Sequence, residues 1–238
     1  MRIRRENYAF LFSVEGDTEK WYLEHLQRLI NDALTEKGAL FTITLNVKVE
    51  KSPLSYIKAL PPGIGVAERG KTIITHVFDY ESPVQQTGMN RLTQFQKILG
   101  EMKKAAALKK SLKYRLAYSN LSFDLWIILH KQDCNGAKVN CDQYLEGLNK
   151  AYRSKKEQFI SMKKYKEERS FEEVLKEITL QDVHSAIDRA KAIQTVNHQK
   201  HKKQSHCGYD FFTENPSLSL HERIQDLFDF CEKQGCAV

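Results

Sequence analysis

The first 130 residues alternate between short apolar runs and longer stretches whose apolar residues recur at helical spacing. Tyr8-Ala-Phe-Leu-Phe-Ser-Val14 is an almost unbroken apolar run bounded by polar residues, the pattern of a strand buried on both faces. From Thr18 to about Lys37, Trp21, Tyr22, Leu26, Leu29, Ile30 and Ala33 share one helical face, and Gly38 ends the helix. Phe41 to Val49 alternates apolar with polar residues, which predicts a strand with one wet face at a sheet edge. Residues 51–70, rich in Pro and Gly, read as connection with a helical turn over Leu54 to Leu60. Thr72-Ile-Ile-Thr-His-Val-Phe78 predicts a second buried strand, Asn90 to Lys109 a helix, Tyr114 to Tyr118 a short strand, and Phe123 to His130 a short helix. This alternation predicts an α/β fold with a mostly parallel sheet flanked by helices.

Beyond residue 131 the strand pattern nearly disappears. Cys134 to Cys141 reads as a loop, and helical spacing covers Cys141 to Lys166, Phe171 to Leu175, Gln181 to Asn197 and Leu218 to Gln234. The expected organisation is an α/β core over residues 1–130 and a mainly helical part over 131–238. The two should pack together, since no Gly/Ser-rich linker separates them. The composition, 41% hydrophobic and 10% aromatic, supports a real core and excludes global disorder. No apolar run approaches the ~20 residues of a membrane span, and the N-terminus does not read as a signal peptide. With five scattered Cys, the expected compartment is a reducing cytoplasm.

Charge adds a candidate partner. Thirty-seven Lys and Arg against 30 Asp and Glu give a net charge of +7, concentrated between residues 51 and 200. Lys103, Lys104, Lys109, Lys110, Lys113 and Arg115 form a run without an intervening acid, and a second basic run extends from Arg153 to Lys166. Such runs can neutralise nucleic-acid phosphates or simply solvate a helix face.

Acids at strand ends supply the candidate chemistry. The first buried strand runs into Glu15-Gly16-Asp17-Thr18-Glu19 and the second into Asp79-Tyr80-Glu81. Ligands of open α/β sheets collect beyond the carboxyl ends of the strands, so Glu15, Asp79 and Glu81 converge if their strands are neighbours. Crowded carboxylates call for a cation, and hard oxygen ligands select Mg²⁺ or Mn²⁺. Gly16 permits a sharp turn, and Thr18 is placed to cap the following helix. A third segment, Ala117-Tyr118-Ser119-Asn120-Leu121-Ser122-Phe123-Asp124, brings Ser119, Asn120 and Asp124 to another strand end, with Ser122 as a helix cap. His130 closes that helix's apolar stripe, where a core role competes with that of a base or phosphate contact.

EGDTEKWY, VFDYES and AYSNLSFDLWIILH, followed near the C-terminus by Asn215-Pro216-Ser217-Leu218, resemble in this order the motifs of the RloB family of bacterial proteins. That family is similar to Toprim-fold proteins, which bind Mg²⁺ through one Glu and an Asp-x-Asp pair, and is associated with restriction and phage-defence loci. The resemblance implies a Toprim-like sheet, Mg²⁺ (or Mn²⁺) held by Glu15, Asp79 and Glu81, and nuclease action on DNA or RNA. Three positions depart from the family pattern: Glu81 replaces the second Asp, Leu121 a Pro, and Asp124 a Glu.

Two functions follow as expectations. One is a Mg²⁺-dependent nuclease in which Asp79 and Glu81 bind metal and Glu15 also acts as acid/base. The other is a non-catalytic module that binds nucleic acid or an ATPase partner. No phosphate-loop motif is present, which disfavours nucleotide hydrolysis. His198, His201, His206 and Cys207 could supply Zn²⁺ ligands but read better as a basic, solvated loop. If the first basic run holds duplex DNA, reversing Lys103, Lys104, Lys109 and Lys110 should weaken binding. The slope of log affinity against log salt should flatten by roughly 0.9 per lost phosphate contact; unchanged binding and slope would leave these lysines as a solubility face.

Overall fold

The structure, a computed structural model, describes residues 5–58, 60, 65–80, 90–154 and 157–238. The α/β segment contains β1 (Glu6–Val14), α1 (Asp17–Glu36), β2 (Phe41–Val49), α2 (Pro53–Lys58), β3 (Ala67–Glu68), β4 (Lys71–Asp79), α3 (Arg91–Leu108), β5 (Leu112–Asn120) and α4 (Asp124–Leu129). A 3₁₀ turn over Cys141–Gln143 precedes α5 (Tyr144–Tyr152), α6 (Met162–Tyr165), α7 (Glu168–Lys176) and α8 (Leu180–Lys200). The chain closes with β6 (Gln204–His206), β7 (Tyr209–Phe211), β8 (Ser217–Leu218) and α9 (Leu220–Lys233).

The main sheet has the order β2-β1-β4-β5-β8, with β3 antiparallel to the start of β4. The β1–β2, β1–β4 and β4–β5 pairs are parallel, whereas β8 runs antiparallel to β5. The central strands bury both faces. In β5, Leu112, Tyr114, Leu116 and Tyr118 join the core under α2 and α3, while Ala117 faces the core formed by α1 and the C-terminal helices. In β1, Leu11 enters the former and Phe12 and Val14 the latter. This period-2 partition explains why β1 and β4 read as continuous apolar runs. Edge strand β2 buries Phe41, Ile43 and Leu45 and exposes Asn46 and Lys48.

Three expectations change. Cys141 to Lys166 is not one helix: α5 stops at Tyr152 and α6 is a single short segment. The Asn149 side chain closes the connection instead, accepting from the Phe159 N–H at 2.6 Å and donating to its carbonyl at 3.0 Å. The basic loop near residue 205 is a β6–β7 hairpin turning at Cys207 and Gly208, both with positive φ, which Gly208 adopts without a Cβ penalty. The C-terminal part is also less purely helical than its sequence pattern, because β8 extends the main sheet.

Polar side chains, Asn120 and Asn197 buried and Asn215 and Ser219 half-buried, hold β8 and its preceding turn. Asn120 Nδ2 donates to the Thr213 and Glu214 carbonyls at 3.0 and 3.2 Å, and Ser219 Oγ accepts from the Tyr118 N–H at 3.1 Å. Asn215 donates to the Lys138 carbonyl and accepts from the Lys138 N–H, at 3.0 and 2.6 Å. Asn197 donates to the Pro216 carbonyl at 3.0 Å. The Asn120–Leu121 and Asn215–Pro216 peptides are cis. Among the described residues, no helix is long and apolar enough to cross a membrane.

Asn120→Ala should strip the partly buried Thr213 and Glu214 carbonyls of a donor and cost about 1 kcal/mol of stability. For a chain of this size, each kcal/mol corresponds to roughly 2–4 °C in Tm. A melting curve indistinguishable from wild type would show that Asn120 does not hold the C-terminal turn.

Candidate functional site

The strand order reverses direction between β1 and β4. From β1 the chain crosses through α1 to β2 on one side, while from β4 it crosses through α3 to β5 on the other. Such a switch point leaves a crevice beyond the carboxyl ends of the two strands. Glu15 follows the last residue of β1, and Asp79 is the last residue of β4. Strand pairing brings them together: the Asp79 backbone N–H donates to Glu15 Oε2 at 2.8 Å.

Two further acids join them. Glu19, in the first turn of α1, is 5% exposed, and its Oε2 accepts from Thr18 Oγ1 at 2.9 Å. Asp124, at the start of α4, is 1% exposed and accepts from Ser122 Oγ at 2.8 Å. Glu15, Glu19 and Asp124 are each close enough to act on the Asp79 charge. Gly16 serves this packing by its size. Its backbone is extended, with φ of −148°, and a Cβ placed there would lie 3.2 Å from Glu19 Oε2.

The electrostatics follow from that crowding. Burial pushes the Asp79 carboxyl well above its ordinary range, and the Glu19 and Glu15 charges push it further. Burial likewise raises Glu19 and Glu15, the latter against the opposing pull of the Asp79 amide and of Lys51 and Lys166. Lys166, the residue after α6, places its ammonium 3.1 Å from Asp124 Oδ2. Desolvation would depress its pKa, but Asp124, Asp79 and Glu19 more than reverse this and hold it above the usual lysine value. Lys166 belongs to the second basic run, yet nothing in its sequence surroundings separates it from its neighbours as part of a site.

The remaining sequence candidates have different places. Ser119 and Asn120 are buried, and Asn120 is engaged with the C-terminal turn. Thr18 lies inside α1 rather than at its cap, which is Gly16, and Ser122 bonds Asp124 instead of capping α4. His130 is 1% exposed, with Nδ1 2.9 Å from the Trp126 carbonyl and Nε2 3.1 Å from the Tyr22 hydroxyl. The carbonyl requires a proton on Nδ1, so Nε2 accepts from Tyr22. Burial lowers the His130 pKa to about 4, which makes it a neutral core residue. Glu81 lies outside the described residues.

The basic run does not line the carboxylate crevice. Lys109 and Lys110 follow α3 at the opposite end of the parallel strands, and Lys113 and Arg115 lie in the first half of β5. Lys109 Nζ donates to the Ile57 carbonyl at 2.9 Å. Lys113 and Arg115 both pair with Glu68, at 3.0 and 2.9 Å, and Arg115 also pairs with Asp226 at 2.6 Å. Both border a separate cavity of about 480 Å³ beside the hairpin and α9. Lys103 and Lys104 are exposed in the second half of α3.

Glu15, Glu19, Asp79 and Asp124 offer only oxygen, the donor chemistry of a hard divalent cation. Among the described residues, however, no three of His, Cys, Asp or Glu form a preassembled metal-ligand group, including the histidines near residue 200. The acids turn instead to Thr18, Ser122, the Asp79 amide and Lys166.

A carboxylate with a raised folded-state pKa binds more protons in the folded chain, so its contribution to stability falls as pH rises from its ordinary pKa through the raised one. In EDTA, Asp79→Asn should therefore melt above wild type at neutral pH, with the gap closing toward the ordinary Asp pKa of 3.8. Comparing the two proteins cancels the opposite trend of the buried histidines, His76 and His130 among them. A gap that is absent, or that widens in acid, would refute the crowding.

Searches of curated proteins and of solved structures gave no match. Residues 10–227 match the family described as RloB-like protein. All four sequence motifs fall within that stretch, which covers the sheet, the crevice and most of the helical part. The chain is a member of the RloB-like family.

Proposed function

We propose that the protein is a metal-dependent phosphodiesterase of Toprim type that cleaves DNA or RNA, with its active site in the crevice between β1 and β4. The observation that carries this reading is the gathering of Glu15, Glu19, Asp79 and Asp124 at the switch point, where burial, joined for Glu19 and Asp79 by neighbouring carboxylate charge, raises the carboxyl pKa values. Mg²⁺ or Mn²⁺ suits that donor set. Asp79 and Glu15 would hold the ion together with Glu81, the next acid after Asp79 in the chain. When bound, the ion supplies Lewis-acid stabilisation of phosphate charge and a more acidic water.

The protein's own groups set the rest of the chemistry. Glu15 is half-buried with its pKa raised, which brings it nearer the range where a carboxyl exchanges protons at neutral pH. Asp79 can accept a ligand through its carboxylate while its backbone N–H fixes Glu15. The resemblance to proteins of restriction and phage-defence loci supports a defence role in a bacterial cytoplasm.

A second reading is a non-catalytic module that binds nucleic acid or an ATPase partner. It is favoured by the lack of a preassembled ligand group among the described residues, and by the Glu81 departure from Asp.

Labelled DNA and RNA pools incubated with the protein in Mg²⁺, Mn²⁺ or EDTA separate the two. Metal-dependent cleavage should fall by orders of magnitude in Asp79→Asn and in Glu15→Gln, whose amide can neither take nor give the proton. Glu81→Asp should preserve or raise cleavage. A Glu15→Gln, Asp79→Asn double variant that cleaves as fast as wild type would remove the crevice as the active site.

A further inference from the structure

The end of α9 brings two cysteines together. Gly235 has a φ of 87°, its N–H bonds the Glu232 carbonyl at 2.8 Å, and the Cys236 N–H bonds the Cys231 carbonyl at 3.0 Å. These are the paired bonds of a Schellman motif, which lays the residue after the left-handed glycine against the residue that opens the last helical turn. Both of those positions are cysteine. From this juxtaposition we propose that Cys231 and Cys236 form a redox-active dithiol, a modification site at the C-terminal end of α9 that a low-molecular-weight disulfide oxidises to an intramolecular disulfide. The proposal is independent of the nuclease reading.

Backbone dimensions set the reach. An N···O contact of 3.0 Å leaves the two Cα atoms about 5–6.5 Å apart, within the roughly 4.4–6.8 Å that disulfides span. Both side chains pack on the same core cluster, Cys231 fully buried in it and Cys236 half-buried against it. Burial pushes the Cys231 thiol up to about 11, and Cys236 adds to that shift, as two neighbouring sulfurs do. The segment around them is tied down. The Tyr8 hydroxyl donates to Gln234 Oε1 at 3.3 Å, Lys37 Nζ donates to the Ala237 carbonyl at 2.7 Å, and His184 Nε2 lies 3.1 Å from the Val238 oxygen.

Exposure divides the chemistry between the two thiols. The Cys236 thiolate, the one within reach of solvent, attacks a sulfur of the external disulfide. That S–S bond breaks, one small thiolate leaves, and a mixed disulfide stands on Cys236. Cys231 Sγ then passes its proton to the departing thiolate and attacks Cys236 Sγ, expelling the second small thiolate. The two protein thiols lose two electrons and two protons, and the external disulfide takes them up as two small thiols. The raised pKa keeps Cys231 protonated, and burial keeps it from reagents other than its neighbour.

The test is incubation of the full chain with oxidised glutathione, followed by alkylation and peptide mapping, with Cys231→Ser and Cys236→Ser alongside. Trypsin cuts after Lys233, so a Cys231–Cys236 disulfide joins two peptides that are otherwise separate. Wild type should give that joined pair as its dominant cross-link, lighter by two hydrogens and released by dithiothreitol. Cys231→Ser should stop at a glutathione adduct on Cys236, and Cys236→Ser should leave Cys231 unmodified. Absence of the joined pair in wild type, a dominant cross-link through Cys134, Cys141 or Cys207, or a glutathione adduct on Cys231 in Cys236→Ser would each overturn the proposal. Melting of the oxidised and reduced wild type needs no variant to fold. The oxidised form should melt higher, because the cross-link constrains the unfolded chain. A lower melting temperature would mean that the native turn has to distort to close, and would overturn a preassembled dithiol.

Discussion

The organising constraint is negative charge confined where β1 and β4 part. Parallel pairing fixes Glu15 beside Asp79, α1 returns Glu19 to the same place, and α4 adds Asp124. Burial raises the pKa values of Glu15, Glu19 and Asp79, and neighbouring carboxylate charge adds to the shift at Glu19 and Asp79. Several local features answer to that constraint. Position 16 has no side chain to crowd Glu19, the Asp79 amide is turned onto Glu15, and a lysine is brought in from 42 positions beyond Asp124. The crevice is therefore a joint product of the sheet and the helical part.

The helical part has to be seated accurately for this to work, and polar side chains do much of the seating. Asn120, Asn149, Asn197 and Asn215 each satisfy backbone groups of segments lacking a ladder or helix of their own. Buried carbonyls without donors are costly, so these amides specify one arrangement of the turns rather than merely adding attraction. A second fastening lies at the far end of the sheet. There Glu68, Arg115, Asp226 and Arg223 form a chain of ion pairs that ties β3 and β5 to α9.

The strands and long helices were legible because their signals are periodic and local. Phe41–Val49 is bounded as its alternation predicts, and α1, α3 and α9 differ from their patterns by a residue or two at each end. The fragmentation after Tyr152 was not legible, since it depends on Asn149 reaching ten residues ahead. Nor was β8: two residues carry no periodicity, and its partner lies about a hundred positions earlier. At the crevice, Glu15 and Asp79 could be paired from sequence because both follow strand patterns. Ser119, Asn120 and His130 look equally suitable in sequence, but burial commits them to structural bonds. Lys166 was hidden for the opposite reason. Its role comes from a tertiary approach to Asp124, while in sequence it is one lysine among several.

The antiparallel closure of β5 by β8 bears on how the chain is made. During synthesis β1, β4 and β5 emerge well before Ser217, and the final stretch of β5 has no neighbour on its outer side until Ser119 and Asn120 meet Leu218 and Ser217. The contacts that complete the fold are also among its longest in sequence, with Arg115 and Asp226 separated by 111 positions and Tyr8 and Gln234 by 226. Such long-range closure slows folding, and an open strand edge invites pairing with another nascent chain. Heterologous production of this protein is thus most vulnerable to aggregation on the ribosome-bound, C-terminally incomplete chain, and slower translation at low temperature should favour the soluble product.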